Sequence, residues 1–470
     1  MPAAAEVVCR VLRQAGVGRA FVTAGAPRVL AEAAARTGFD LVPSGAAPAV
    51  VMAAVTGVLT GAPGLVVGGA GEPVADALVH ALADRAPVIL LTGDSAPSGG
   101  SVPAAGDPLE GGAGLRTVVA EAASAAHQAA HACQVALRPP GGPVRIAMSA
   151  EDGARPAVPV AVVPRPAPAA PPEPYALEEA ARLVAGADRP AVVAGLGCRE
   201  GTAAFWLRAF AEALPAPVVV TRAGRGAMPD AHPLVLGRLG RAEARRVLDL
   251  ADLVVALGLD PLELGGLPAR APILAIGPGG GEGLPGARHA VAADIALVLE
   301  ELAPRLVRRS RSDWDVSALE RLKRAGRPAP VDGLPAVARL ARALGPGVVA
   351  ACDADERLVP VDEAWEAAAP LDFLIPAAPV EGFAPAAAVA AALTGAGRRA
   401  LAFTTKAGLL AGRDALAVAA ARGLDVGVLV PGSADVEAAG IERLDAAGPA
   451  AVAEALGRPG PRLIVVTAPV

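Results

Sequence analysis

Short apolar runs rich in β-branched residues alternate with helix-length stretches of Ala, Leu, Arg and Glu along most of the chain. The first part carries RAFVTAG, GLVVGG, PVILLTGD and PVRIAMS. The middle carries PAVVAGLG, APVVVTRAG, DLVVALG and APILAIG. The last part carries GVVAACDAD, RALAFTT, DVGVLVPG and PRLIVVTAP. The runs are continuous rather than alternating, which predicts strands buried on both faces, the condition of parallel sheets with helices on each side. The expected fold is therefore α/β, with three doubly wound parallel-sheet domains. In such sheets ligands bind where the strands end, at their carboxyl edge.

Two stretches break the rhythm. VVPRPAPAAPPEP, residues 162–174, is too rich in proline for a helix or a central strand. RLVRRSRSDWDVSALERLKRAGRPAPVDG, residues 305–333, is charged and ends in Pro-rich sequence. They divide the chain into domains over 1–161, 175–305 and 334–470, with linkers at 162–174 and 306–333.

Composition adjusts this picture. Hydrophobic residues make up 53% of the 470, but aromatic residues only 2%, so the cores are expected to be packed with Ala, Val and Leu. A net charge of −5 without long charge runs speaks against nucleic acid as a partner. The cysteines Cys9, Cys133, Cys198 and Cys352 are scattered, which suits buried thiols in a reducing compartment. The opening MPAAAEVVCRVLRQAG reads as an amphipathic helix and not as a signal peptide, and no apolar run is long enough to span a membrane. The expected location is the cytoplasm.

Candidate chemistry gathers at strand ends. Lys406 is one of only two lysines, the other being Lys323, and it follows the apolar run that ends in Thr404-Thr405. Three readings are open for it: a solvated side chain, an anion site shared with Thr405, Ala407 and Gly408, or a Schiff-base lysine. CDADER, residues 352–357, sets three acids at another strand end, either as a solvated loop or as a cation site. His127 and His131 stand four apart on a predicted helix with Cys133 nearby. That spacing suits a metal, but no third ligand lies on the same face and a polar helix face is the simpler reading. GLGCREG, residues 195–201, is a glycine turn that either packs tightly or admits a nucleotide.

As a set these segments resemble the thiamine diphosphate (ThDP) enzymes of the acetolactate synthase and benzoylformate decarboxylase group. VLRQAGVGRAFVTAGAP, ALADRAPVILLTGD and RPPGGPVRIAMSAED resemble the pyrimidine-binding domain. ADRPAVVAGLG, LPAPVVVTRAGRGAMPDAHPLVLGRLG and ADLVVALGLDP resemble the central domain most closely. EGFAPAAAVAAAL and GLDVGVLVPG resemble the pyrophosphate-binding domain.

The resemblance implies a glutamate beside the aminopyrimidine ring; ungapped matching back from MAAVTGVLTG puts Ala46 there, and the nearest acid in sequence is Asp40. It implies a Gly-Asp-Gly metal turn, which falls on Thr405-Lys406-Ala407, and an Asn-Asn pair, which falls on Pro431-Gly432. An ammonium repels Mg²⁺, which wants oxygen ligands. The segment that should close over the diphosphate is reduced to SADVEAAGIERLDAAGPA.

The reading that follows is a divergent acetolactate synthase-like homologue with no cofactor, ThDP and Mg²⁺ being what the family would lead one to expect. It would bind a small anionic metabolite or a protein partner, or run cofactor-free chemistry in the old cleft. The alternative is a ThDP-dependent decarboxylase or carboligase, a carbon–carbon lyase type acting on 2-oxo acids. Some relatives bind FAD or a nucleotide in the central domain. The family's sites form between subunits, so a homodimer or tetramer is expected.

Overall fold

The computed structural model describes residues 1–69, 74–93, 115–265, 267, 270–281, 284–306, 312–326, 347–395, 399–432, 437–446 and 448–466. It sorts into two compact units: Met1–Ala167 with Pro335–Glu363 and Leu374–Val470, and Pro168–Leu334 with Ala364–Phe373.

The first unit holds two sheets. One is built from β1 (Arg19–Val22), β2 (Asp40–Pro43), β3 (Gly64–Gly68), β4 (Val88–Thr92), β5 (Arg116–Val119) and β6 (Val144–Ala147), in the order β2-β1-β3-β4-β6-β5. Every pairing in it is parallel. The runs β3, β4 and β6 are buried at every position, as continuous apolar sequence requires.

The other sheet belongs to the C-terminal part of the chain. Its strands, numbered in chain order after the six of the central sheet, are β13 (Val348–Cys352), β14 (Phe373–Leu374), β15 (Arg399–Phe403), β16 (Val426–Pro431), β17 (Glu442–Ala446) and β18 (Arg462–Val466). They lie in the order β14-β13-β15-β16-β18-β17, which repeats the connectivity of the first sheet strand for strand.

Two helices join the two sheets. Helix α3 (Ala46–Thr60) packs against the Phe383–Leu393 helix. Both are apolar around nearly their whole circumference, so each is buried on one side by its own sheet and on the other by its counterpart. Their alanines let the axes come close, which is how a chain with few aromatics fills its core. Of the stretch expected as a Pro-rich linker, 162–174, residues 162–173 contain neither helix nor strand and Pro174 opens the helix Pro174–Gly186. Arg165 anchors the stretch by donating to Ala15 O at 3.0 Å and Gly61 O at 3.2 Å.

The second unit carries the central sheet: β7 (Pro190–Ala194), β8 (Val218–Val220), β9 (Val235–Arg238), β10 (Leu253–Leu257), β11 (Ile273–Ile276) and β12 (Ala287–Val291). Their order is β12-β11-β10-β7-β8-β9, all parallel. The stretch read as a linker at 306–333 lies partly outside the described residues, and its described part includes the helix Val316–Ala325. Leu319 of that helix is buried, and Lys323 Nζ donates to the carbonyls of Asp230, at 2.9 Å, and His232. Residues 364–373 also belong here: Arg225 donates to Trp365 O, and Ala367 N–H donates to Asp230 at 2.9 Å.

Among the described residues no helix is long and apolar enough to cross a membrane.

Candidate functional site

A doubly wound sheet offers a crevice where its strand order reverses. In the C-terminal sheet that point lies between β13 and β15, which pair from Val348↔Arg399 to Cys352↔Phe403. The residues after them, Asp353 and Thr404-Thr405-Lys406, therefore leave the sheet side by side.

Asp353 is only 8% exposed. Its Oδ1 accepts the N–H of Ala384, in the first turn of the Phe383–Leu393 helix, at 2.7 Å. Its Oδ2 accepts the hydroxyl of Thr404, which is fully buried. Burial pushes the carboxyl up to about 6 against the pull of those two hydrogen bonds, and the charges of Asp355 and Glu381 push the same way. Gly408 closes over the pair. A Cβ there would lie 2.1 Å from Asp353 Oδ2 and 2.4 Å from Thr404 Oγ1.

CDADER is thus neither a solvated loop throughout nor a cation set. Asp353 is the buried cap of a helix, and Asp355 accepts Arg357 N–H at 2.9 Å and pairs with the Arg357 guanidinium at 2.7 Å. Burial of the first acid was hidden because the partners that cover it, Thr404 and Ala384, lie far away in sequence.

Thr405 caps the helix Lys406–Ala411, its hydroxyl accepting Gly408 N–H at 3.3 Å. That helix starts at the lysine itself. Lys406 and Ala407 are exposed. Among the described residues Lys406 makes no ion pair, and its nearest acid in sequence, Asp414, is engaged elsewhere.

Asp414 reaches the start of α3. A Cβ built on Gly45 would lie 2.1 Å from Asp414 Oδ2. Gly45 is the residue before Ala46, which opens the helix and is half-buried. Asp40, the nearest acid to Ala46 in sequence, is committed otherwise: it accepts Arg19 Nε at 2.8 Å and two N–H groups of Arg422 at 2.8 Å. No sequence signal pointed to Asp414, because its approach to Gly45 spans two domains of the chain.

His127 and His131 are both exposed on the helix Ala125–Leu137, while Cys133 is buried. Desolvation holds the Cys133 thiol at about 12, so it is a protonated core side chain. Pro431 ends β16 and Gly432 follows at a φ of +69°, and neither brings a side-chain oxygen. The segment expected to follow them includes residues 433–436 and 447, which lie outside the described residues.

Three six-stranded sheets with doubly wound strand order define the class: a multi-domain α/β protein. The comparisons narrow this further for the central domain. Residues 177–302 match the central domain of thiamine pyrophosphate enzymes. An acetolactate synthase of Mycobacterium bovis is 40% identical over 101 residues, which is 20% of this chain and 16% of the relative. The glyoxylate carboligase of Escherichia coli O157:H7 is 37% identical over 86 residues, or 17% of this chain and 14% of the relative. These matches span well under a fifth of each relative's length.

An X-ray structure of a Mycobacterium smegmatis protein, assigned as a thiamin diphosphate-dependent enzyme, shares the fold. Its TM-score is 0.81 over 100% of both chains, at 19% identity. Residues 177–302 thus match a thiamine pyrophosphate enzyme central domain, and the whole chain shares its fold with that structure.

This corrects the expectation of a chain without a cofactor. The matched domain, the relatives and the fold are those of ThDP-dependent enzymes, which points to ThDP, and loss of it is not shown. The residues themselves fit one part of that cofactor better than the other. An exposed ammonium with no acid partner, beside a capped turn of small residues, suits a diphosphate. A bridging divalent cation wants several oxygens. Among the described residues no three His, Cys, Asp or Glu side chains gather to hold a metal ion.

Proposed function

We propose that this chain is an acetolactate synthase-like member of the thiamine diphosphate enzyme family that takes a small anionic ligand at the switch point of its C-terminal sheet. The diphosphate of ThDP is that anion, and Lys406 supplies the positive charge. One observation carries the reading: an exposed lysine without an acid partner follows β15, at the position where the family resemblance puts a metal-binding carboxylate. Thr405, Ala407 and Gly408 complete the turn, and their small side chains let a phosphate oxygen come near the backbone. When bound, ThDP supplies a carbon nucleophile for breaking and joining bonds next to a carbonyl.

Calorimetric titration of the full chain with ThDP, with and without Mg²⁺, tests this. The expected result is binding that needs no Mg²⁺ and that is lost in Lys406→Asp while the variant still unfolds cooperatively. Affinity should fall as salt rises, because part of the attraction is Coulombic. Absence of ThDP binding, or unchanged affinity in Lys406→Asp, overturns it.

A catalytic reading, a decarboxylase or carboligase of 2-oxo acids, is favoured by Asp414. Its half-exposed carboxylate sits against Gly45, next to the position at which the family resemblance puts a proton-transferring glutamate. On this reading Asp414→Asn leaves ThDP affinity intact and abolishes turnover of a 2-oxo acid. A homodimer or tetramer in the reducing cytoplasm fits both readings, and the buried free thiols suit that compartment.

A further inference from the structure

The central sheet reverses its strand order between β7 and β10. In sheets of this kind the turns leaving those two strands receive the ligand. Here they meet a side chain of the chain itself. Glu263 closes the short turn Pro261–Glu263 that follows β10. Its Oε2 accepts the N–H of Leu196 at 2.9 Å and the N–H of Asp260 at 3.0 Å. Its Oε1 accepts the hydroxyl of Thr221 at 2.5 Å.

The three donors come from three strand ends. Leu196 lies just beyond β7, Thr221 directly follows β8, and Asp260 lies beyond β10. Burial raises the Glu263 carboxyl above its ordinary range, and these hydrogen bonds and the charge of Arg199 pull it back toward the ionised form. Converging backbone N–H groups, a hydroxyl and a nearby guanidinium are the donors that phosphate oxygens seek.

We propose that Glu263 is an internal anion that fills the phosphate seat of the central domain's switch-point crevice, so that the domain excludes phosphate-bearing nucleotides while this carboxylate is in place. The backbone supports the closure. A Cβ on Gly195 would lie 2.6 Å from both Gly258 O and Leu259 Cα, and 2.8 Å from Glu263 Oε2. The two turns are therefore in contact, and no second anion fits between them and the carboxylate. Gly195 and Gly197 of GLGCREG serve this contact.

The site is independent of Lys406 and is tested separately. The full chain and its Glu263→Ala variant are unfolded thermally in inorganic phosphate and in chloride of equal ionic strength. The reading is the excess phosphate effect in the variant over wild type, so that phosphate held elsewhere cancels. Removing the carboxylate orphans the three donors, and phosphate is expected to restore the variant's midpoint by about 3 °C or more beyond any wild-type shift. Glu263→Gln, which keeps the seat filled, should show no excess. Where Glu263→Ala does not fold in chloride, the refolding yield in phosphate replaces the midpoint, and rescue is the expected result. A phosphate effect equal in wild type and Glu263→Ala, or no rescue, overturns the proposal.

Discussion

Arg422 holds Asp40 through two 2.8 Å hydrogen bonds, one from each Nη to one carboxylate oxygen, across 382 residues of sequence. Arg422 Nη2 also donates to Leu41 O at 2.8 Å, so the guanidinium ties the C-terminal domain to the edge strand of the first sheet. The pair is partly exposed, so its worth is that of a well-formed but solvent-screened contact, ~1 kcal/mol.

Arg422→Ala is therefore expected to lower unfolding stability by about 1 kcal/mol at neutral pH. Arg422, and then Arg19, hold the Asp40 carboxyl below its ordinary range. A depressed carboxyl gives stability that is present above its unfolded value and lost as pH falls through the folded one. The gap between wild type and variant should thus shrink in acid. Denaturant titrations at neutral pH and near pH 3 measure it; a gap that stays constant would show that the contact is not ionic.

Asp353 has the opposite sign. Its carboxyl is raised from 3.8 to about 6, so folding takes up a proton between those values. Stability from this group is fully present below its unfolded pKa and falls as pH rises toward about 6, by on the order of 3 kcal/mol. Asp353→Asn keeps an acceptor for Ala384 N–H and cannot ionise. Relative to wild type it should gain stability as pH rises from about 4 to about 7. Thermal unfolding across that range reads the difference, and parallel curves would sink the assignment.

Gly408 tolerates no side chain. A methyl group there meets the Asp353 carboxylate and the Thr404 hydroxyl, both fixed by their own hydrogen bond. Gly408→Ala should cost about 1–3 kcal/mol through forced displacement of that pair. Ala407→Gly, one residue away on an exposed position, should cost far less. Equal effects of the two substitutions in denaturant unfolding would contradict the packing described.

The thiols of Cys9, Cys133 and Cys198 are each held at about 12, and burial is the largest cause in all three. The thiolate is the reactive form, so these side chains are expected to react with a thiol reagent only as the chain unfolds. Mass analysis of labelling in native buffer and in denaturant checks this. Rapid native labelling at Cys198 would mean that the turn after β7 opens.

The sequence by itself determined the strands. PVILLT, PAVVA and RALAF are runs whose burial needs no partner to be specified, because the hydrophobic effect acts on area and has no direction. It also placed Lys406 just past the carboxyl end of β15, after Thr404-Thr405. The helix Val316–Ala325 was missed because its charged surface hides one buried leucine and one lysine stem.

Only the tertiary structure decided which strand ends meet. Asp353 finds Thr404 across 51 residues, Leu196 finds Glu263 across 67, and Asp414 finds Gly45 from another domain. A local pattern specifies that an element is buried, but the order in which crossovers lay strands side by side is non-local. Hydrogen bonds are short and directional, so the partners of a carboxylate follow from that order. For this reason the cap at Asp353, the acid beside α3 and the filled seat at Glu263 belong to the fold and not to any stretch of sequence.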